Sequence, residues 1–321
     1  MSERPFNVLS IDGGGIRGII PAVVLTELER RTGRRVADVF DLVAGTSTGG
    51  ILAAALTVRD EAGALRWTAE QLIDLYVSEG PEIFSQSLTD KLLNPLGLLD
   101  ERYDDKALER AIDKYIGDAR LTELATNVLL TAYDTEGRAP FFFKSHVAAG
   151  AQSWNHRVSD AVRATVAAPT YFQPHLLTTA TQRFSLVDGG VFANNPAMSA
   201  YAEADRIAPE RPVRIVSLGT GSLNRRYPHE DVKGWGVVEW IRPLIAVVFD
   251  GQSDAVTMQL DELLDDRHHR FQIELNGASD DLDDVRPENL EALRHLGDAL
   301  VEGATAELDQ VVEALTLSAD Q

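Results

Sequence analysis

Ser47 is the residue of this chain whose surroundings best suit nucleophilic chemistry. It stands at the centre of Gly45-Thr46-Ser47-Thr48-Gly49, a G-x-S-x-G pattern that follows the apolar run Phe40 to Ala44. A serine hydroxyl attacks an ester carbonyl once a neighbouring base accepts its proton. Glycines two residues before and after the serine permit a sharp turn that projects the hydroxyl outward. The pattern predicts a nucleophile elbow, although the same residues also suit a simple entry into a helix.

Two other stretches could supply the remaining groups of such a site. Asp12 is followed by Gly13-Gly14-Gly15-Ile16-Arg17-Gly18, and a second acid opens the run Asp188-Gly189-Gly190. Three consecutive glycines indicate a backbone that approaches a ligand closely and offers its N–H groups. The first stretch could therefore bind an anion, and the second could place a carboxylate base.

The glycine loop also permits a rival interpretation. Gly13, Gly15 and Gly18 satisfy G-x-G-x-x-G, the fingerprint of a dinucleotide site. Asp12 argues against a nucleotide, because its carboxylate would lie beside the pyrophosphate. A tight turn that packs a helix on a sheet is the purely structural alternative.

These groups must be positioned by strands that end beside one another. Each stretch follows an apolar, strand-like run, namely Phe6 to Ile11, Phe40 to Ala44 and Phe184 to Val187. Helices are predicted after the first two runs, over Ile20 to Arg31 and Ile51 to Leu56. Strands that alternate with helices predict an α/β fold, a three-layer α/β/α sandwich around a mainly parallel sheet. In such sheets function gathers at the carboxyl ends of the strands, where the three stretches should meet.

The motifs DGGGIRG, GTSTGG and DGG, in this order and each after a strand, resemble those of the patatin-like phospholipase family. The resemblance is strongest from about Phe6 to Asn195, and the motifs do not depart from the family pattern, although Gly190 stands where many members carry alanine. It implies a single patatin-like domain over residues 1–321. The motif-bearing core would span about 6–200, with about 201–321 packing on it.

The resemblance implies a serine hydrolase that needs no cofactor and no metal. Ser47 would be the nucleophile and Asp188 the base of a Ser–Asp dyad. The oxyanion hole region would be formed by Gly13, Gly14, Gly15 and Arg17. The implied reaction is of the phospholipase A or lysophospholipase type, in which carboxyl esters of phospholipids are cleaved through an acyl-enzyme. Arg17 could instead bind a phosphate head group or cap the Gly13 to Gly15 loop through a carboxylate.

Composition limits the partners. The 321 residues carry a formal net charge of −20, which argues against nucleic acid and against electrostatic attraction to anionic membranes. Phospholipid or another acyl-ester lipid is the expected partner, with transient contact at a membrane surface. Cysteine is absent, so disulfides and thiolate chemistry are excluded. The N-terminal residues lack the pattern of a secretion signal, which favours a cytoplasmic location, and the oligomeric state is left open.

The chief mechanistic alternative is a Ser-His-Asp hydrolase. Four histidines follow Asp188 in the chain order of such triads, and they are His229, His268, His269 and His295. None lies in a glycine-rich loop at a strand end. The charged run Asp265 to Arg270 predicts a solvated helix face for the middle two.

Two functional alternatives come from other classes. Some bacterial patatin-like proteins are phospholipases that a nucleotide second messenger activates in antiphage defence, but no messenger site is recognisable. A non-catalytic storage protein is disfavoured by the intact motifs.

The apolar stretch Trp235 to Phe249 is a candidate for core, acyl-chain channel or lipid contact, and residues 80–103 are predicted to form an irregular excursion.

Overall fold

The computed structural model describes residues 4–85, 103–222 and 226–319, which form a single sheet with helices on both faces. Most of the predicted excursion, from 86 to 102, lies outside the described residues. The strands are β1 (Phe6–Ile11), β2 (Leu42–Gly45), β3 (Asn127–Asp134), β4 (Ala139–Lys144), β5 (His175–Thr178), β6 (Arg183–Asp188), β7 (Val213–Leu218) and β8 (His268–Phe271). Their order is β5-β6-β3-β2-β1-β7-β8, with β4 on the other edge of β3.

The centre of the sheet is parallel, as predicted. Strands β8, β7, β1, β2 and β3 all run in one direction. Every residue of β1 and β2 is buried, including the polar Asn7 and Ser10, as expected for central parallel strands covered on both faces. Strands β3 and β4 form an antiparallel hairpin, closed by a turn in which Asp134 accepts the N–H of Glu136.

Strand β6 approaches β2 end to end. Leu129 of β3 pairs with both Ala44 and Lys144, whereas Ala132 pairs with both Phe141 and Asp188. Strands β2 and β6 therefore share one edge of β3, and since β6 runs antiparallel, their carboxyl ends face each other. Parallel neighbours were expected to bring Ser47 and Asp188 together. The structure achieves this with one parallel and one antiparallel strand.

The helices form the outer two layers. Those that follow β1 and β2 are α1 (Ile19–Thr32), α2 (Val36–Val39), α3 (Thr48–Ala55), α4 (Ala69–Asp74) and α5 (Gly80–Ile83), with a π-helical turn at Leu75–Glu79. Next come α6 (Asp105–Tyr115), α7 (Ser145–Gly150), α8 (Val158–Thr165), α9 (Gly190–Ala193) and α10 (Ala197–Ile207). The last are α11 (His229–Val232), α12 (Val237–Leu264), α13 (Pro287–Gly303) and α14 (Thr305–Ala319).

Alternate residues of the central strands face different layers. Leu9 and Val43 belong to the larger apolar cluster, which includes α1, α3 and α8. Val8 and Leu42 belong to a second cluster with α10 and the C-terminal end of α12. A sheet with one apolar cluster on each face gives the predicted α/β/α sandwich.

The C-terminal helices α13 and α14 pack on α1. Gly297 lies so close that an added Cβ atom would stand 2.8 Å from the Cβ of Val23. Arg31 of α1 donates to Asp309 of α14 at 2.7 Å. On this ground we propose that residues 1–321 form one domain. No helix among the described residues has the length and apolar character needed to cross a bilayer.

Candidate active site

Ser47 lies in a strained turn between β2 and α3. Its backbone angles are φ 54° and ψ −123°, a region that residues with a side chain rarely adopt. A Cβ atom on Gly45 would lie 2.2 Å from the carbonyl oxygen of Gly49, and one on Gly49 would lie 2.2 Å from that of Ile11. Because both positions must be glycine, the pattern around Ser47 is a requirement of this turn.

Hydrogen bonds from neighbouring elements hold the turn in place. The Ser47 N–H donates to the hydroxyl of Thr165, at the end of α8, at 3.0 Å. Thr46 donates its hydroxyl to the carbonyl of Ala193 at 2.6 Å, and its oxygen lies 2.8 Å from the hydroxyl of Thr131. The elbow is thus tied to β3 and to α9, the helix that follows Asp188.

Asp188 ends β6 with its carboxyl group buried beside Ser47. The carboxyl accepts the N–H of Gly190 at 2.7 Å and lies within hydrogen-bonding reach of the Ser47 hydroxyl. Burial raises the pKa of Asp188 to about 7, and the hydrogen bonds from Ser47 and Gly190 partly oppose this rise. A carboxyl group with such a pKa is a far better proton acceptor near neutral pH than an ordinary aspartate.

The glycine loop approaches Ser47 from β1. Gly13 donates its N–H to the carbonyl of Asn194 at 2.9 Å, whereas the N–H groups of Gly14 and Gly15 have no protein acceptor among the described residues. A Cβ atom on Gly14 would lie 2.3 Å from the hydroxyl of Thr220, and Gly15 has a φ of 57°. Of the three glycines, Gly14 and Gly15 therefore offer donors that an oxyanion could use.

Ser47 and Asp188 open into one cavity of about 380 Å³. Gly14, Gly15 and Thr48 line its polar end. The remaining wall is mainly aliphatic and aromatic, with side chains that include Ile51, Leu75, Ile83, Phe84, Leu108, Val166, Phe172, Leu244, Val248 and Phe249. A site of this kind suits a ligand with one polar, reactive end and a long apolar part.

The sequence matches the model of the patatin-like phospholipase family over residues 9–201. The chain belongs to this family. Patatin-like protein 2 of Arabidopsis thaliana is 34% identical over 349 residues, which cover 94% of this chain and 84% of that protein. A protein of Solanum tuberosum named probable inactive patatin-3-Kuras 1 is 31% identical and covers 94% of this chain and 87% of its own. Among solved structures, VipD from Legionella pneumophila aligns with a TM-score of 0.42 and 11% identity, covering 94% of this chain and 67% of VipD.

In this patatin-like chain, Arg17 braces the glycine loop. Its Nε donates to the carbonyl of Gly14 at 3.3 Å, and its side chain is buried. Burial lowers the pKa of the Arg17 guanidinium, and the carboxylates of Asp250 and Asp280 oppose that change. Arg17 is not among the described residues that line the cavity. Of the roles considered for Arg17, contact with the glycine loop agrees best with this hydrogen bond, which is made to a backbone carbonyl and not to a carboxylate.

The histidines lie away from the cavity. His268 and His269 are buried in strand β8, so the predicted solvated helix face is wrong. Each faces a carboxylate, with His268 Nδ1 at 2.6 Å from Asp261 and His269 Nδ1 at 3.4 Å from Glu307. No histidine is found among the described residues that line the cavity, nor do three potential metal ligands come together in the described ranges.

Several supporting residues were not found from the sequence. Thr48, the first residue of α3, lines the cavity, and its N–H has no partner within the helix. Its hydroxyl lies 2.7 Å from that of Tyr76, which the π-helical turn brings into the cavity wall. Thr165 and Asn194 hold the two loops that meet at Ser47. Thr48 could have been predicted because it directly follows the serine. No local sequence pattern marks Tyr76, Thr165 or Asn194.

Proposed function

We propose that this protein is a lipid acyl hydrolase of the phospholipase A or lysophospholipase type. Ser47 is the nucleophile and Asp188 the base. The observation that carries the proposal is the contact between the Ser47 hydroxyl and a buried carboxyl group whose pKa is raised to about 7, within an apolar cavity. Membership of the patatin-like phospholipase family supports the same reaction class.

The arrangement supplies each step of ester cleavage. Ser47 Oγ attacks the acyl carbonyl while Asp188 accepts its proton, and the N–H groups of Gly14 and Gly15 stabilise the oxyanion, with Thr48 N–H as a third candidate donor. Collapse of the tetrahedral intermediate expels the alcohol, which takes the proton from Asp188, and leaves the acyl chain on Ser47. Asp188 then accepts a proton from water, which attacks the acyl carbonyl. Collapse of this second intermediate breaks the bond to Ser47 Oγ, which takes the proton back from Asp188, and the fatty acid leaves.

The cavity favours the acyl chain as the recognised part of the substrate. Its described wall beyond the polar end is formed by side chains such as Leu75, Ile83 and Phe172, which cannot hydrogen-bond a head group. Burial of methylene groups contributes about 0.8 kcal/mol each, so chain length should dominate affinity. The head group would lie toward the opening.

The other functional hypotheses have less support. A relative named probable inactive patatin-3-Kuras 1 means that family membership alone does not establish activity, but Ser47 and Asp188 are both present and adjacent in this chain. The second-messenger effector has no specific observation in its favour among the described residues.

The nucleophile can be tested by covalent labelling. A fluorophosphonate probe should form a phosphonate ester with Ser47 and release fluoride, because the elbow activates this hydroxyl. Peptide mass spectrometry should locate the adduct on Ser47, and Ser47→Ala should stay unlabelled. Fatty-acid release from phosphatidylcholine vesicles by the unmodified protein, stopped by the probe, identifies the reaction. Adducts at another residue, or equal labelling of Ser47→Ala, would contradict the proposal.

The pH profile gives a second expected result. Asp188 must be ionised to accept the serine proton, and burial raises its pKa to about 7. For a soluble short-chain ester, kcat/KM should increase about tenfold per pH unit below pH 7 and level off above it. Initial rates between pH 5 and pH 9, under conditions in which the fold is intact, test this expectation. A profile that stays flat down to pH 5 would exclude Asp188 as a base with a raised pKa.

A further inference from the structure

The N-terminal half of α12 exposes an apolar face. Val237 is 82% exposed and Val247 44%, and Leu244 and Val248 are exposed as well. At 100° per residue these four positions fall within about 100° of arc on the helix. A contiguous apolar face on a soluble helix marks a site of interaction with a partner or a lipid surface.

This face continues into the cavity of the proposed dyad. Leu244 and Val248 contribute both to the exposed face and to the cavity wall, and Phe249 follows inside. Val191, three residues after Asp188, is also exposed and lines the cavity. Gln252 of α12 donates to the carbonyl of Val191 at 3.4 Å, which joins the two elements at the opening.

Half-buried aromatic side chains lie at the beginning of the same helix. The rings of Trp235 and Trp240 meet edge to face with centroids 5.1 Å apart, and Tyr227 contacts Trp235 at 5.7 Å. Tryptophan and tyrosine are enriched where protein meets the head-group region of a bilayer, because their rings are apolar at one end and polar at the other.

Charge limits the kind of lipid surface. The chain carries a formal net charge of −20, and Glu239 and Asp250 also lie on this part of α12. An anionic bilayer would repel such a protein, most strongly at low salt, where charges are least screened. The apolar face therefore fits a bilayer whose head groups carry no net charge.

We propose that the N-terminal half of α12, from Val237 to Phe249, docks on the surface of a neutral phospholipid bilayer. Its exposed valines enter the boundary between head groups and acyl chains, and Leu244 and Val248 form a continuous apolar path from that boundary into the cavity. This inference rests on the proposed lipid hydrolase function, since it explains how an acyl chain leaves the bilayer and reaches Ser47.

Vesicle binding tests the docking face without turnover. The full-length Ser47→Ala protein is incubated with phosphatidylcholine vesicles and with equimolar phosphatidylcholine–phosphatidylglycerol vesicles, and the bound fraction is measured by sedimentation. Binding should be stronger to phosphatidylcholine, and the difference should shrink as salt is added. Adding Val237→Asp and Val247→Asp should weaken binding to phosphatidylcholine about 10- to 100-fold, because two apolar side chains no longer leave water.

A matched variant distinguishes the effect of the mutated position on vesicle binding from the effect of an added negative charge. Leu317 lies on α14, is 61% exposed and does not line the cavity, so Leu317→Asp should leave vesicle binding unchanged. Circular dichroism and melting curves establish that each variant is folded. Equal loss in Leu317→Asp, or no loss in Val237→Asp/Val247→Asp, would overturn the docking face. Failure of the Ser47→Ala protein to bind phosphatidylcholine at all would do the same.

Two more measurements separate bilayer docking from dimerisation and from the hydrolase reaction itself. If light scattering shows that Val237→Asp/Val247→Asp converts a dimer into a monomer, the face belongs to a second copy of the chain and the proposal is wrong. With Ser47 intact, the ratio of vesicle hydrolysis to soluble-ester hydrolysis should fall in Val237→Asp/Val247→Asp. A protein that binds vesicles but cleaves neither ester would refute the proposed hydrolase while the docking face stands.

Discussion

Asp188→Asn is expected to lower kcat for ester hydrolysis about 10²–10⁴-fold, the usual contribution of a positioned general base. Asparagine retains an oxygen that can accept the Gly190 N–H, which the aspartate binds at 2.7 Å. It cannot take a proton from Ser47. The substitution therefore removes the proposed base while preserving the turn that follows β6, and initial rates on a soluble ester measure the loss.

The same substitution should stabilise the fold, and the gain should depend on pH. The Asp188 carboxyl has an ordinary pKa of 3.8, which burial raises to about 7 in the folded protein. Folded protein thus binds this proton more tightly than unfolded protein does, so rising pH lowers stability across that interval, by about 4 kcal/mol in total. Asp188→Asn has no titrating group at this position, so its stability does not fall in this way as pH rises. Its melting temperature should exceed that of the wild type increasingly from pH 4 to pH 7, and by a constant amount above pH 7.

Ser47→Ala is the matched control for both measurements. It removes the proposed nucleophile and keeps the buried carboxyl, so it should be inactive and still lose stability as pH rises. If Asp188→Asn retains wild-type kcat, another base serves Ser47. If its melting temperature is lower than that of the wild type at pH 8, the buried carboxylate stabilises the fold, and burial does not raise the pKa of Asp188 as expected.

Elements defined by local sequence could be predicted. Strand β1, helix α1 and the elbow at Ser47 each have their signals within about 15 residues: an apolar run, a proline in the first turn, glycines at fixed spacing. The proximity of Ser47 and Asp188 was expected from family resemblance and from the carboxyl-end rule, which assumes parallel strands. The antiparallel direction of β6 depends on pairing with Ala132, far away in sequence, and no local pattern specifies it.

Short buried strands and tertiary contacts could not be predicted. Strand β8 is His-His-Arg-Phe, which reads as part of a charged surface until its partners are known. The buried His268 ring pairs with the exposed Asp261, and Arg270 is held by Asp12, 258 residues earlier. In the sequence, Asp12 served only as an argument against a nucleotide. Its contacts give it a structural role that spacing does not reveal.

Arg270→Met is expected to lower the free energy of unfolding by about 3–5 kcal/mol, the usual cost of leaving a buried charge without its partner. Arg270 donates to both carboxylate oxygens of Asp12, at 3.1 Å and 2.5 Å, and to the hydroxyls of Ser217 and Ser253 at 2.8 Å and 3.1 Å. The Asp12 carboxyl is almost completely buried. Urea denaturation at neutral pH measures the loss.

A surface pair of similar geometry provides the control. Arg30 also binds both oxygens of a carboxylate, that of Glu27, at 2.6 Å and 2.7 Å, but its side chain is 68% exposed, compared with 12% for Arg270. Methionine and arginine have similar helix propensities, so Arg30→Met should change stability by about 1 kcal/mol or less. Equal effects of the two substitutions would mean that burial does not determine the strength of the Asp12–Arg270 pair.

The pH dependence of the stability lost in Arg270→Met identifies the cause of that loss. Burial raises the pKa of Asp12 even with Arg270 beside it, so without the guanidinium the pKa should rise further. A protonated Asp12 needs no cation, and the deficit relative to the wild type should therefore shrink as pH falls. Adding Asp12→Asn to Arg270→Met should recover part of the stability at neutral pH for the same reason. Asp12 immediately precedes Gly13 to Gly15, so Arg270→Met should also lower esterase activity. Arg270→Met/Asp12→Asn should regain this activity only if the glycine loop returns to its place beside Ser47.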